Sequence, residues 1–433
     1  MSAANLLGRQ NARLRGMYRG WWIVLIGHYT QAVIHGAGGW VFGAVLVAMQ
    51  NDLGWSQKTL VGVLTINRVM GGVLSVPLGP FVDRHGARML MTVSSLITGL
   101  AMIAVAFTNS VVWFYVAWIV FGLGLPGTNL LGPRVTIANW FVKQRPKALV
   151  LFSLGSATAG IILVPIAAWI TVNYSWRFVW VLLGVLALAI TPAIWALIRR
   201  VPEDVGLLPD GEDPRTAIRD ESGHAVVHGA DRPWTVAEAL RTRAFWLTSF
   251  GFLLVSMPSG TIFINISGFA QSRGFDVATG ATVVSAYGFG VLAGRPVWGF
   301  FLTRYGTHAT MYIYAALYAT AIFGFTLSQE LITMYFATLW LGAAIAAGNV
   351  LQGQVLPEYF GRRIVGTLTG YSQLPNTAIA GMAPLVTAAI YDATKHYEPA
   401  FFMFVVGCLV ASVVFFFAPP PVHPSERGGA AVA

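Results

Sequence analysis

The chain alternates between long apolar stretches and short polar ones, and this pattern sets its predicted architecture. Apolar runs of about 20 residues recur throughout, and a helix needs that length to cross a bilayer. The alternation typical of barrel strands is absent. We therefore predict an all-α membrane protein with twelve transmembrane helices. The spans are 20–48, 57–82, 88–107, 111–138, 147–172, 176–199, 244–272, 277–302, 308–327, 331–357, 363–391 and 398–418.

A polar stretch at about residues 200–243 divides the spans six and six. The predicted units are an N-terminal six-helix bundle at 1–199, a cytoplasmic linker at 200–243, and a C-terminal bundle with a short tail at 244–433. Thr235 and Glu238 have capping-box spacing, which predicts a short surface helix at the end of the linker. The first span is too long for a cleaved signal peptide and leads directly into a second span.

The distribution of charge fixes the predicted orientation. Only 10% of the residues are charged and 56% are hydrophobic, whereas a soluble domain is about a quarter charged. With both termini in the cytoplasm, 20 of the 27 Lys and Arg residues lie on the inner side and four on the outer side. This is the positive-inside asymmetry of a multi-pass inner (plasma) membrane protein. The net charge of +10 therefore does not indicate a nucleic-acid partner.

Several chemistries lack their sequence signatures. A lone cysteine, Cys408, can form neither an intrachain disulfide nor a thiolate metal site, and packing is its expected role. No phosphate-binding glycine loop of the ATPase type is present, which disfavours an ATP-driven pump. We find no catalytic constellation either. An enzyme, a metal site and a cofactor are therefore not expected.

The three remaining cations lie inside predicted spans: Arg68, Arg134 and Arg295. Arginine does not lose its proton in proteins, so each charge needs an anionic partner or other compensation. No Asp or Glu lies near the middle of a span. The interior is therefore predicted to select anions, with Arg295 as the main ligand and Arg68 as a second. Alternatively, Arg295 is satisfied by backbone carbonyls or Glu358, and Arg68 by an inter-helix hydrogen bond.

His28, Gln31 and His35 lie on one face of the first span because they are spaced by three and four residues. A histidine can take up a proton near physiological pH, so either could couple protons to anion movement or donate to the substrate. Packing against neighbouring helices is the alternative. The other predicted substrate contacts, each with the same alternative, are Tyr29, Tyr287, Asn265, Gln352 and Gln373.

Two loops echo each other across the halves. Gly79, Arg84 and Gly86 recur 220 residues later as Gly299, Arg304 and Gly306, as expected for two parallel repeats. The segment 79–88, with its Asp83-Arg84 pair and Arg88, resembles the loop signature of the major facilitator superfamily. The resemblance covers nearly the whole chain and implies two bundles around a central cavity. The predicted gating residues are Asp83, Arg84, Arg88, Arg134 and Arg304, with Arg134 able to pair with Asp83.

A narrower resemblance rests on Arg295-Pro296 and on the linker phrase at 203–211. These segments look like those of oxalate:formate antiporters and monocarboxylate transporters. The resemblance implies that Arg295 binds a substrate carboxylate. The sequence departs from that branch where proton-coupled members have an aspartate, here Val291, and a lysine in span one. It also lacks the span-eleven lysine of oxalate carriers.

The sequence therefore predicts a secondary active transporter of small organic anions, mono- or dicarboxylates, that works by alternating access. Transport would be proton symport or anion exchange, and the protein would function as a monomer in the lipid bilayer. Two alternatives stay open. One is an exporter or uniporter of sulfonates, phosphonates or aromatic acids. The other is a non-transporting membrane sensor, which the short tail after residue 418 disfavours.

Overall fold

The computed structural model describes residues 18–212 and 234–423, and all regular structure in those ranges is helical. Eleven helices are long and apolar enough to cross a membrane. A short helix, α7, precedes the second group of long ones. In chain order the helices are α1 (Arg19–Leu53), α2 (Gln57–His85), α3 (Ala87–Ala106), α4 (Val111–Trp140), α5 (Arg145–Asn173), α6 (Trp176–Leu197), α7 (Val236–Arg241), α8 (Arg243–Ser272), α9 (Val277–Leu327), α10 (Leu331–Phe360), α11 (Val365–Thr394) and α12 (Glu398–Phe416).

The count of eleven, against twelve predicted spans, comes from α9. This helix has 51 residues and covers both 277–302 and 308–327. Gly306 breaks it with φ 78° and ψ 170°, a conformation that only glycine adopts easily. The same conformation occurs at Gly86 between α2 and α3, with φ 80° and ψ 166°. The two loops that echo each other in sequence therefore share a backbone turn.

Local capping explains where several helices begin. Ser56, Ser110, Thr242 and Asp276 each accept a hydrogen bond from the backbone three residues later, which satisfies a free N–H of the first turn. The predicted surface helix is present as α7. The backbone N–H of Thr235 donates to Glu238 at 2.8 Å, and the Glu238 N–H donates back to the Thr235 hydroxyl.

Three helices of the first half contain π-helical turns. These turns are Gln31–His35 and Ala37–Val41 in α1, Pro126–Leu130 in α4, and Ala159–Leu163 in α5. They pack against one another, and a Cβ at Gly36 would clash with the side chain of Ala159. π-turns are rare and often occur at functional sites. His35 ends the first of these turns, and that turn contacts the π-turns of α4 and α5.

The helices before residue 200 pack chiefly against one another, as do those after residue 243. The two groups meet where α2 contacts α11, where α5 contacts α9 and α10, and where α4 contacts α10. The α2–α11 contact is the tightest, because a Cβ at Gly79 would clash with the carbonyl oxygen of Gly366. Small residues let helix backbones approach closely in this way.

Cations are concentrated at one end of the helices, which we call the basic end. It carries the loops with Arg84, Lys143, Arg304 and Arg362, and the other end is called the opposite end. The start of the linker docks at the basic end. The Asp210 carboxylate accepts from the backbone N–H groups of Val142, Lys143 and Gln144 at 2.8 to 3.0 Å. The linker is thus tied to the turn that precedes α5.

Tyr18 makes a second attachment for the linker. Its hydroxyl donates to the carbonyl oxygens of Trp140 at 3.0 Å and Leu208 at 3.1 Å. Burial raises the pKa of the Tyr18 hydroxyl well above its ordinary value, so the group keeps its proton and acts as a donor. Residues 202–212 are therefore fixed against the first half.

Candidate anion-binding site

Arg295 lies on α9 with only 4% of its surface exposed. Its Nη2 donates to the Ser156 hydroxyl on α5 at 2.8 Å, while Nε and Nη1 have no hydrogen-bond partner. None of the carboxylates in the described residues pairs with it, and Glu358 accepts instead from Thr307 and Gln354. A buried guanidinium with unused N–H groups is costly unless something anionic occupies the site.

Aromatic rings lie on the opposite-end side of Arg295. Tyr287 is two turns earlier on α9, and its ring centroid is 5.4 Å from that of Phe263 on α8. The Phe263 ring lies 5.6 Å from Trp40 on α1, edge to face. These three rings therefore link the two halves on the opposite-end side of the guanidinium. They form an apolar wall for a small ligand.

Arg134 on α4 is 6% exposed and also reaches across to the other half. Its Nη2 donates to the amide oxygen of Asn349 on α10 at 3.1 Å, and its Nε has no partner. The pairing with Asp83 that the sequence suggested is not formed, because Asp83 is engaged by α11. Arg134 and Arg295 thus form reciprocal bonds between the halves, each through a single nitrogen.

His35 has an exposed side chain among these arginines. Its Nδ1 lies 2.9 Å from the Asn129 amide nitrogen. Because the amide nitrogen can only donate, the neutral ring carries its proton on Nε2, which leaves that N–H for a ligand. Arg134, Arg295 and Arg68 all act electrostatically on the ring. The structure therefore brings four of the predicted site residues into one region.

His28 has a different environment. Its Nδ1 lies 2.8 Å from the carbonyl oxygen of Leu151, and its Nε2 lies 3.1 Å from the Thr158 hydroxyl. Both partners belong to α5. The Thr158 hydroxyl also lies 3.2 Å from the carbonyl oxygen of Leu154, so it can either donate to Nε2 or accept from it. These contacts are those of a histidine that fastens α1 to α5.

The remaining predicted contacts are distributed over the molecule. The Tyr29 hydroxyl donates to Leu186 at 3.0 Å, and the Asn265 amide donates to Thr261 on its own helix at 2.8 Å. Gln352 and Gln373 line a separate pocket in the second half. Arg68 lies on α2 with an exposed side chain.

Sequence reasoning missed the two residues that hold the buried arginines, Ser156 and Asn349. Ser156 belongs to a run of small residues in α5, and such runs indicate a close helix contact. A Cβ at the preceding Gly155 would indeed clash with the carbonyl oxygen of His28. Asn349 is a polar residue within a predicted span. Neither signal identifies an arginine partner, because both contacts are long-range.

The two halves are bonded together at the basic end. The Asp83 carboxylate accepts from the backbone N–H groups of Gly366 at 2.8 Å and Thr367 at 2.7 Å. Arg362 forms an ion pair with Glu203 at 2.6 Å and donates to the Asn139 carbonyl at 3.1 Å. Asp83 therefore binds the start of α11, where unpaired N–H groups favour an anion.

At the opposite end, the ion pairs of the described residues stay within one half. Arg177 pairs with Asp52 at 3.2 Å, and Arg273 pairs with Glu398 at 3.0 Å. The polar bonds that cross between the halves in the described ranges all lie at the basic end or beside Arg134 and Arg295. The structure is therefore closed at the basic end.

The other predicted gating residues lie near that end. The Arg88 guanidinium carbon is 3.9 Å from the centroid of the Trp195 ring, a cation–π contact within the first half. Arg84 and Arg304 have exposed side chains. No group of three metal-ligating side chains occurs among the residues that the structure describes.

Comparison with known proteins identifies the family. The model of the Major Facilitator Superfamily matches residues 29–326 and 248–432. The chain belongs to the major facilitator superfamily. It is accordingly a multi-pass protein of the plasma membrane, in agreement with its apolar helices. The resemblance of the loop 79–88 to the signature of this superfamily is thereby confirmed.

Curated relatives within the superfamily are transporters of acids. A probable L-galactonate transporter of Escherichia coli (strain K12) is 24% identical over 84% of this chain and 82% of the relative. Monocarboxylate transporter 4 of Rattus norvegicus is 24% identical over 77% and 69%. A gallate transporter of Pseudomonas putida is 22% identical over 77% and 76%. The narrower resemblance to carriers of organic acid anions is in keeping with these matches.

Solved structures show the same fold at low identity. The human organic anion transporter MFSD10 (TETRAN) superposes with a TM-score of 0.71 at 14% identity, covering 92% of this chain and 99% of that one. The proton:xylose symporter XylE gives a TM-score of 0.72 at 13% identity, covering 92% and 96%. The predicted all-helical carrier fold is thus confirmed.

Proposed function

We propose that this protein is a secondary active transporter of small organic acid anions, with mono- and dicarboxylates as its main substrates. The two units, 1–199 and 244–433, would be six-helix bundles joined by the linker 200–243, with Gly306 separating two spans of α9. Both termini and the basic end would face the cytoplasm. The bundles would rock around the region of Arg295, Arg134, Arg68 and His35, exposing it to each side of the membrane in turn.

The observation that supports this proposal most strongly is the incomplete bonding of Arg295. Its unused Nε and Nη1 each share one edge of the guanidinium with Nη2, so a carboxylate in a two-point contact would accept from one of them and from Nη2. The site is buried, so the charge of the guanidinium is only weakly screened. A bound carboxylate would compensate that charge and occupy one of the unused donors.

The relatives point to the same substrate class. L-Galactonate, monocarboxylates and gallate, named for the three relatives, share a carboxylate group. They differ in size and in the number of hydroxyl groups. An arginine anchor would bind the carboxylate in this carrier, and the wall around it would select the rest of the acid.

The bonds that cross the halves suggest how binding is coupled to movement. Ser156 and Asn349 each hold one arginine in the state closed at the basic end. A bound carboxylate would compete for the same guanidinium nitrogens and weaken the hold between the halves. Because an occupied site reduces the cost of burying these arginines, the loaded carrier would change state more readily than the empty one.

His35 is the residue through which protons would be coupled. A proton on its ring would add a fourth positive charge beside three arginines, and a bound anion would offset that charge. Anion binding and protonation would therefore favour each other, as thermodynamic linkage requires. Without a coupled proton, the same site would support anion exchange.

The first test replaces Arg295 with lysine. Lysine keeps the charge but not the planar pair of donors, so the carboxylate would lose one charge-assisted hydrogen bond, worth about 1.5–3 kcal/mol. We expect carboxylate uptake into proteoliposomes to fall to background while the protein stays folded. The measurement is uptake of radiolabelled lactate, succinate and gluconate.

Arg273→Gln is the matched control, because Arg273 is an arginine of the same half that lies at the opposite end and pairs with Glu398. Its uptake should stay near that of the unmodified protein. Normal transport of acids by Arg295→Lys would refute the assignment of Arg295 as the anchor.

The second test compares the two histidines. His35→Gln should reduce the dependence of uptake on a proton gradient, because glutamine cannot take up a proton. His28→Gln should leave that dependence intact, since His28 contacts only α5 through its ring nitrogens. Uptake should be measured with and without an imposed pH gradient. An unchanged dependence in His35→Gln would show that His35 is not the residue that couples protons.

A further inference from the structure

A second cavity lies in the C-terminal half, between α8, α10 and α11. Its free volume is about 20 Å³, which is room for about one water-sized group. Three helix faces converge on it, since its members recur at intervals of three and four residues along each helix. They are Thr248, Ser249, Phe252, Gln352, Val355, Leu356, Thr369, Ser372, Gln373 and Asn376.

The lining of this cavity is polar but carries no charge. It consists of hydroxyl and carboxamide groups with three apolar side chains. Such a wall offers both donors and acceptors, and it lacks the cation that a carboxylate needs. A hydroxyl group also both donates and accepts. The chemistry of the cavity therefore matches hydroxyl groups.

Several polar atoms of the cavity are not used within the protein. The Ser249 hydroxyl is 9% exposed and has no hydrogen-bond partner. Gln373 and Gln352 share one bond of 3.4 Å, and Asn376 accepts from Ser256. Each of these amides therefore keeps one polar atom for a guest. An unpaired buried polar group is unfavourable, and a hydroxyl group of a ligand would supply the missing hydrogen bond.

The cavity lies close to the anion site along the helix direction. Gly299 is four residues, or about 6 Å, beyond Arg295 towards the basic end. A Cβ at Gly299 would meet Val150 on α5, and one at Gly353 would meet the neighbouring Leu149. Gln352 and Gly353 are thus level with Gly299. The cavity is about one helical turn nearer the basic end than the guanidinium.

We propose that this cavity is a subsite for one hydroxyl group on the chain of a hydroxy acid whose carboxylate is held by Arg295. This inference rests on the proposed function and specifies its substrate class. Ser249 and Gln373 would be the residues that distinguish a hydroxylated acid from an unsubstituted one. The arginine would contribute equally to both acids.

The test compares two six-carbon acids, gluconate and hexanoate, which differ in their hydroxyl groups. Binding of each to the purified full-length protein is measured by calorimetry. The unmodified protein should prefer gluconate. Ser249→Ala and Gln373→Leu should each weaken gluconate binding roughly 3- to 10-fold, the effect of one hydrogen bond, and should leave hexanoate binding unchanged.

Thr248→Val is the matched control. Thr248 is the chain neighbour of Ser249 and lines the same cavity, but its hydroxyl already donates to Ala244 at 2.7 Å and Phe245 at 3.0 Å. Its replacement should leave the affinity for both acids unaltered. The melting temperature of each variant shows whether it is folded.

The outcomes separate the subsite from the anion site. If Ser249→Ala and Gln373→Leu bind gluconate as tightly as the unmodified protein, the cavity holds only water and the inference is overturned. Equal losses for both acids would also overturn it, since the cavity would then act only on the fold. If the unmodified protein binds neither acid, the proposed function fails together with the subsite.

Discussion

The two copies of the repeated loop, at 79–88 and 299–308, have the same turn but different partners. Gly86 and Gly306 share nearly equal backbone angles. In the first copy Asp83 crosses to the other half and binds the start of α11. Its counterpart in the second copy is Thr303, which donates only to Phe300 of its own helix. Only the first of the two repeated loops therefore bonds to the other half through this position.

A similar contact is made at the start of α5, but by an aspartate of the linker. The turn before α5 also presents free N–H groups to an aspartate, but this aspartate is Asp210 from the linker. The linker segment that carries Asp210 is attached to the first half, and α5 belongs to that half. The Asp210 contact can therefore persist while the halves move, whereas the Asp83 contact must break. The Asp210 contact therefore stabilises the fold of the first half, whereas the Asp83 contact stabilises only the state closed at the basic end.

The largest effect is expected at the helix contacts just before the two loops, which Gly79 of α2 and Gly299 of α9 make with the other half. Gly79→Ala should push α2 away from α11, because its Cβ would clash with the Gly366 carbonyl oxygen. Overpacking of this kind costs about 1–3 kcal/mol. We expect a lower melting temperature and an opened basic end. Opening can be followed by maleimide labelling of Leu149→Cys in a Cys408→Ala background, because Leu149 is buried.

Gly299→Ala is the control at the equivalent position. Its Cβ would lie 3.0 Å from Cγ2 of Val150, a side chain that can shift, so both readouts should change little. Equal effects of Gly79→Ala and Gly299→Ala would show that the two contacts are alike after all.

An intermediate effect should separate the two aspartates. Asp83→Asn keeps the shape but removes the charge at the start of α11, and we expect it to favour the state open at the basic end by about 0.5–2 kcal/mol. Asp210→Asn should lower the melting temperature without increasing the labelling of Leu149→Cys. The distinction fails if Asp210→Asn increases labelling as much as Asp83→Asn does.

The smallest effect is expected at Thr303. Its exposed hydroxyl bonds only to its own helix, so Thr303→Val should change stability by less than about 0.5 kcal/mol and leave labelling unaltered. A strong shift in labelling would mean that the second loop also controls the state. Melting curves and labelling on the same preparations decide the point.

The repeat, the helices and the buried arginines could be predicted from the sequence because each depends on local pattern. An apolar run shows a span, and an arginine within it shows a charge that needs compensation. Thr235 and Glu238 predicted α7 because capping acts over three residues. Gly306 breaks α9 between the predicted spans 277–302 and 308–327, so the repeated glycine marks the turn between two helices in both loops.

The partners of the charges could not be predicted, because they lie far away in the chain. Asp83 is bonded to residues more than 280 positions later, and Arg295 to one 139 positions earlier. His28 and His35 share a face in sequence, yet one is fastened to α5 and the other lies among the arginines. Which neighbour each face meets is decided by tertiary packing alone.

The π-turns have a consequence for comparing this chain with its relatives. A π-turn holds one residue more than an α-helical turn, so the residues before and after it differ in rotation by about 100° from an uninterrupted helix. In α4, the turn Pro126–Leu130 sets the direction of Arg134. A relative that lacks this turn can present the same charge only if its alignment includes a one-residue gap inside a membrane helix. Matching cavity residues between such carriers therefore requires gaps where alignments usually forbid them.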